Sequence, residues 1–276
     1  MSSTTTDYFA ANLANWNERA HIHVRDETGF YGIDTLLAGG NLLTPIEASE
    51  VGDVAGLRLA HFQCHIGTDS LSLARLGADV VGLDFSPAAI AHARQLAQRC
   101  GLPARFAEGS VYDAPALLGT GFDRVFTSWG TVCWLDDLPA WAHAVAAVLA
   151  PGGKLYFADT HPQVCQFEAD AAGGLMLRQH FRTEATAPLA FDEATSYDGS
   201  RQRIASTRTY EWVHPLSDIL NALVGAGLRI DFVREHEALP WRPYPDMVAG
   251  TDRLFRLPAG HVRLPLALSI GATRAG

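Results

Sequence analysis

The chain has 276 residues, 48% hydrophobic and 18% charged, with 21 Lys+Arg against 30 Asp+Glu and a formal net charge of −9. That is enough for one large domain or two small ones with a real core. No apolar run approaches the roughly 18 residues of a membrane helix, and the start MSSTTTDYFAAN lacks the basic-then-apolar order of a signal peptide. Cys64, Cys100, Cys133 and Cys165 show neither CxxC spacing nor the density of a disulfide scaffold, so reduced thiols, no metal and a soluble cytoplasmic protein are expected. Residues 1–170 carry 9 basic and 19 acidic side chains, which argues against a nucleic-acid partner.

The first 56 residues hold an aromatic, polar helix candidate at Tyr8–Glu18 and a Gly-rich segment. Leu57–Gln63 suits a strand, and TDSLSLARLGA a helix with Leu71, Leu73, Ala74 and Leu76 facing inward. Ala78–Asp84 has too few polar alternations for an exposed sheet and reads as a buried parallel strand. Ser86 and Pro87 open the next helix as N-cap and first residue, and Gly101 stops it. Strands follow at Ala104–Glu108 and Phe122–Ser128, then a helix from Asp136 or Asp137 to Leu149 with acids at its start. Ala150-Pro151-Gly152-Gly153 turns the chain into a strand at Lys154–Thr160.

The βα alternation then breaks. His161–Trp212 reads as an insertion with strands near Leu175–Thr183 and Arg203–Trp212, and a long insertion beside an active edge is usually functional. A helix at Pro215–Ala226 and strands at Leu228–Glu235 and Val262–Ala272 complete the chain, the last two as an antiparallel edge hairpin. The expected fold is α/β, a doubly wound, mostly parallel sheet interrupted by a β-rich lid. Its parts are an N-terminal helical cap (1–50), a core (51–160 and 213–276) and the lid (161–212).

Strand, tight turn, helix, strand and terminal acid form a nucleotide-binding arrangement in which the acid reaches ribose hydroxyls. Here the turn is His61-Phe62-Gln63-Cys64-His65-Ile66-Gly67 and the acid is Asp84. A dinucleotide needs a glycine where its pyrophosphate approaches the backbone, yet His65 occupies that region with a full side chain. An adenosine cofactor without phosphate does not need that approach.

At HFQCHIGTDSLSLARLGA, VVGLDFSPAAIAHAR, FAEGSVYDAP, FDRVFTSWGTVCWLDDL and LAPGGKLYFAD the chain resembles the class I S-adenosylmethionine-dependent methyltransferases. The resemblance is strong over residues 50–160 and weaker over 210–275. It implies a Rossmann-like seven-stranded sheet with an antiparallel C-terminal strand. S-adenosylmethionine is the implied cofactor and S-adenosylhomocysteine the product. Asp84 would take the ribose diol and Phe85 pack on adenine. Gln63, Cys64, His65 and Gly67 would line the methionine part, Ser110 and Val111 the adenine edge, and Ser128 and Trp129 the sulfonium region. Where the family has an acid and two glycines, this chain has His61, Gln63 and His65, a QCHxG variant.

Methyl transfer needs a nucleophile held in line with the methyl group, and a base only when that nucleophile starts protonated. His161 follows the fifth strand directly and is the catalytic candidate, with a solvated loop histidine as its alternative reading. Acceptor contacts are expected from Trp16, Tyr31, His180 and Arg182. Aromatics with arginine suit a small planar or apolar acceptor, with a carboxylate as one option. The functional expectation is methylation of a small molecule at oxygen or nitrogen ahead of carbon, in specialised metabolism, by a protein that forms a homodimer through the inserted strands. The competing readings are a nicotinamide-dependent oxidoreductase and a non-catalytic S-adenosylmethionine-binding protein.

Overall fold

The computed structural model describes residues 7–170 and 174–276; the parts of the expected cap and lid segments that fall at 1–6 and 171–173 lie outside the described residues. Three helices come first: α1 (Tyr8–His23), α2 (Ile33–Leu37) and α3 (Pro45–Glu50). The α/β core runs β1 (Arg58–Phe62), α4 (Thr68–Arg75), β2 (Asp79–Asp84), α5 (Pro87–Cys100), β3 (Arg105–Glu108), α6 (Ala114–Leu118), β4 (Phe122–Ser128), α7 (Leu138–Val148) and β5 (Leu149–Thr160). The inserted segment carries β6 (Phe167–Ala169) paired with β7 (Leu175–Leu177), and β8 (Leu189–Asp192) paired with β9 (Arg208–Glu211). The chain ends with α8 (Leu216–Gly225), β10 (Leu228–His236), a small hairpin of β11 (Val248–Ala249) and β12 (Phe255–Arg256), and β13 (Ala267–Arg274).

Seven strands form one sheet in the order β10-β13-β5-β4-β1-β2-β3, with only β13 antiparallel to its neighbours. Strand order reverses between β1 and β4, where loops leave the carboxyl edge in opposite directions and open a crevice. Trp141 and Val145 of α7 and Leu223 of α8 pack on Val125, Phe157 and Ile270 on one face of the sheet. On the other face, Leu71 of α4 and Ile90 and Ala93 of α5 pack around Phe106, while Leu73 meets Leu59, Val80 and Phe126.

Local chemistry sets the ends of these elements. Ser86 Oγ accepts the Ala89 N–H at 3.1 Å, Pro87 takes the first turn of α5, and Gly101 ends it in the left-handed region. Asp137 Oδ1 caps α7 by accepting from Ala140 N at 2.9 Å. Two expectations shift. The Pro-Gly-Gly turn belongs to β5 itself, as a bulge between the pairings Phe122–Leu149 and Arg124–Lys154. The last strand starts at Ala267, and Val262 lies exposed before it, because Leu266 N bonds His236 O and closes the loop there.

Gly67 begins α4 at φ +81°, and a Cβ there would lie 2.8 Å from Phe106 and 3.0 Å from Ala93. Gly67→Ala therefore combines left-handed strain with overpacking. We expect a loss of about 2–3 kcal/mol in urea unfolding, and a loss below about 0.5 kcal/mol would contradict this packing.

Candidate functional site

The crevice at the carboxyl edge is a cavity of about 790 Å³. Its floor is formed by the loops after β1, β2, β3 and β4. Its walls come from α1, from the inserted segment, from the loop after β10 and from β12, through residues such as Trp16, Tyr197, Trp212, Trp241 and Phe255.

Asp84 ends β2, is 6% exposed, and faces this space. Its Oδ2 accepts from His65 N at 2.8 Å and its Oδ1 from Ser86 N at 2.9 Å, leaving further lone pairs toward the cavity. Burial pushes its carboxyl up to about 6 against the lowering effect of those N–H groups. Phe85 lies beside it, edge-on to Phe9 at 5.4 Å.

Gln63 and His65 hold φ of +55° and +50°, the conformation glycine favours, so the β1 loop keeps a glycine-type path while carrying full side chains. His65 Nε2 lies 2.7 Å from His23 Nδ1, which also meets the Tyr31 hydroxyl at 2.8 Å; His23 Nε2 meets Ser196 Oγ at 2.6 Å. Burial, with Arg19 and His92 nearby, holds the His65 imidazole down at about 3, so it is neutral. Burial holds the His23 imidazole far down, so it is neutral and joins His65, Tyr31 and Ser196 in one hydrogen-bond network.

The β4 loop is fixed by Asp159, which is 2% exposed at the end of β5. Its carboxylate accepts from the backbone N–H of Gly130, Thr131, Val132 and Thr160 and from Thr131 Oγ1, at 2.6–3.1 Å. Trp129 sits there at φ +60°. Gln63 Nε2 donates to Thr131 O at 2.8 Å and ties the β1 and β4 loops together.

Residues 60–155 match the family described as a methyltransferase domain. Over that span the chain is similar to a methyltransferase domain. Over 134 residues it is 31% identical to a ubiquinone biosynthesis O-methyltransferase of Xanthomonas euvesicatoria, covering 48% of this chain and 56% of that protein. Over 106 residues it is 36% identical to a demethylmenaquinone methyltransferase of Thermus thermophilus, covering 38% of this chain and 45% of that one. The chain thus spans about half the length of the curated relatives it matches. A solved S-adenosylmethionine dependent methyltransferase from Mesorhizobium loti shares the fold, with a TM-score of 0.55 and 20% identity over 83% of this chain and 96% of that one.

Gln63, Cys64, His65, Asp84, Phe85, Ser110, Val111, Ser128 and Trp129 line the cavity, as do Trp16 and Tyr31. Gly67 does not; it is the helix-start turn packed under Phe106. His161 corrects the expectation for it. It stands at the carboxyl edge, but its imidazole turns to Glu235 of β10 at 3.2 Å, outside the cavity wall, although Thr160 and Pro162 line it. His180 and Arg182 are also away from the wall; both are exposed, and Arg182 pairs with Asp218 at 2.5 Å.

Sequence reasoning missed Glu47, Asp69, Asp159, Glu211 and Arg253. Glu47 carries a helix-start signal, Thr44-x-x-Glu47 as a capping box, which gave no hint that the acid faces a cavity. Burial pushes the Glu211 carboxyl on β9 up to about 7. Among the described residues no group of three or more His, Cys, Asp or Glu is arranged to hold a metal.

Removing the Asp159 carboxylate leaves several buried N–H groups without an acceptor. Asp159→Ala should cost about 3 kcal/mol or more in urea unfolding, a loss far beyond that of an ordinary surface substitution. An unfolding free energy within about 0.5 kcal/mol of wild type would show that the β4 loop does not depend on it.

Proposed function

We propose that this protein transfers the methyl group of S-adenosylmethionine to a small-molecule acceptor and releases S-adenosylhomocysteine. The carrying observation is Asp84, a buried acid oriented by two backbone N–H groups at the end of β2 and open to a large cavity. The wall fits a polar ligand: Gln63 Oε1 is buried there without a hydrogen-bond partner. Its charge also fits. Glu47, Asp69, Asp84, Asp136, Asp159 and Glu211 face the cavity, with Arg253 the lining Lys or Arg residue among the described residues. That field favours a sulfonium cation and opposes a pyrophosphate, which speaks against the nicotinamide reading.

S-adenosylmethionine brings an already activated methyl group, so the chain's work is to bind, align and exclude water. Asp84 holds the ribose diol and Phe85 the adenine face. Trp16, Trp134 and Tyr197 form an aromatic wall, with Trp16 edge-on to Trp134 at 5.2 Å, suited to a planar or apolar acceptor. Glu211 takes the acceptor's proton where there is one to take, since a base poised near neutrality is ready to accept it. The curated relatives act in quinone biosynthesis by name, which supports a ring-bearing acceptor. The exposed Met176, Leu177 and Phe181 support self-association through the inserted segment.

Calorimetric titration should show binding of S-adenosylmethionine and S-adenosylhomocysteine but not of NAD; binding of NAD alone would overturn the reading. Asp84 is ionised above its raised value and neutral below it. Affinity for S-adenosylhomocysteine should therefore be full above pH 7 and fall as pH drops through about 6. Asp84→Asn should flatten that profile and weaken binding about 10- to 100-fold.

With a substrate found by screening for S-adenosylhomocysteine release, Glu211→Gln should lower turnover about 100-fold while leaving donor affinity unchanged. His161→Ala should keep near-normal turnover. The opposite ranking would return the base role to His161.

A further inference from the structure

Asp84 is oriented by two backbone N–H groups, from His65 at 2.8 Å and from Ser86 at 2.9 Å, and the side chains of both residues are tied to α1. Ser86 Oγ donates to Asn17 Oδ1 at 2.7 Å, and His65 Nε2 lies 2.7 Å from His23 Nδ1. The two tethers are unequal. Ser86 is the N-cap of α5, extended at φ −85°, and the helix that it starts fixes its place. His65 has no such support: it stands in the β1 loop at φ +50°, in the left-handed region that is unfavourable for any residue with a Cβ.

Strain of that kind persists only where the surroundings over-determine it. Around His65 the surroundings are side chains. Besides His23, Trp16 of α1 meets its ring edge-on with centroids 5.2 Å apart, and the Tyr31 ring lies at 5.6 Å. Gln63, the other non-glycine residue of the loop in this region at φ +55°, is anchored in the same manner, its Nε2 donating to Thr131 O at 2.8 Å.

His23 is itself fully enclosed and clamped from the inserted segment. Ser196 Oγ lies 2.6 Å from its Nε2, and the Tyr31 hydroxyl, 2.8 Å from its Nδ1, pairs with that of Tyr197 at 2.6 Å. Burial keeps both imidazoles neutral, so they share a hydrogen bond without repulsion between cations. A run of hydrogen bonds thus leads from the inserted segment through His23 to the residue whose N–H orients Asp84.

We propose that His23 is a positioning residue: it holds His65 in its left-handed backbone conformation, and through the His65 N–H it fixes the direction of Asp84 toward the donor's ribose. This rests on the donor reading of the cavity. Donor affinity then depends on His23 and Ser196, although neither lines the cavity wall.

The test is calorimetry with S-adenosylhomocysteine on the full chain, and it asks whether relieving the strain at His65 makes the anchor dispensable. His65→Gly and His65→Ala both remove the imidazole and keep the N–H, but only the alanine variant keeps the strain. His65→Ala should bind about tenfold more weakly than His65→Gly, and affinities within about twofold of each other would overturn the proposal. His23→Phe keeps a ring and removes both nitrogens. It should weaken binding about tenfold in the wild-type background and less than about twofold in the His65→Gly background, where the loop adopts its conformation without strain. Equal losses in the two backgrounds would mean that His23 acts on the fold of the cap alone and would overturn the proposal, as would the absence of any loss in the wild-type background. If His23→Phe does not fold, the comparison of His65→Ala with His65→Gly decides by itself, because neither variant alters α1. If wild-type protein binds no S-adenosylhomocysteine, the donor reading itself fails, a result distinct from all of these.

Discussion

The carboxylate of Asp159 is the constraint on which the site depends. It gathers four backbone N–H groups and one hydroxyl, and so holds the β4 loop in a path no regular element would impose. Each of those donors would otherwise be an unsatisfied group at the edge of a dry crevice. The left-handed backbone at Trp129 is held in that frame, and Gln63 then reaches across to Thr131 O. The walls made by β1 and β4 are therefore positioned relative to each other by hydrogen bonds as well as by sheet register.

A second network joins the cavity to chain segments remote in sequence. His23 of α1 links His65 of the β1 loop, Tyr31 and Ser196 of the inserted segment, and Arg19 of the same helix donates to Ser196 Oγ at 3.3 Å. Because the two buried imidazoles are neutral, the network holds without buried net charge on either ring. His65 thus has a structural use for its side chain: it ties the β1 loop to α1 and, through His23, to Ser196 of the inserted segment. Asn12 adds to this by exchanging hydrogen bonds with the backbone of Tyr210 on β9.

The core was legible because its strands are apolar for several residues and its helices carry caps such as Ser86-Pro87. Phe122–Ser128 was read with both of its ends correct. The lid was less so: its strands are three or four residues long and half exposed, and such pieces lack a period to read. The cavity residues at the ends of β1 to β4 were legible because they follow the strands in chain order. His161 had the right address and the wrong direction, since its imidazole is set by Glu235, a neighbour supplied by β10 pairing into the sheet through β13. Glu47 and Arg253 were hidden for the same kind of reason, because only tertiary folding brings α3 and the loop before β12 over the β1 and β4 ends.

The distribution of charge now bears on the acceptor. A carboxylate-bearing acceptor would draw on the arginines of the inserted segment, yet Arg182 is committed to Asp218 and Arg208 to Asp192 on the outer surface. Glu211, the charged group that β9 does present to the cavity, is acidic and raised by burial. An anionic acceptor entering beside it and beside the other acids of the wall would hold those carboxyls protonated and find no counter-charge among them. The excess acidity of the first 170 residues therefore has a local meaning in Glu47, Asp69, Asp84 and Asp159. Under the proposed function it would favour a cationic donor and leave the aromatic wall of Trp16, Trp134 and Tyr197 to a neutral acceptor.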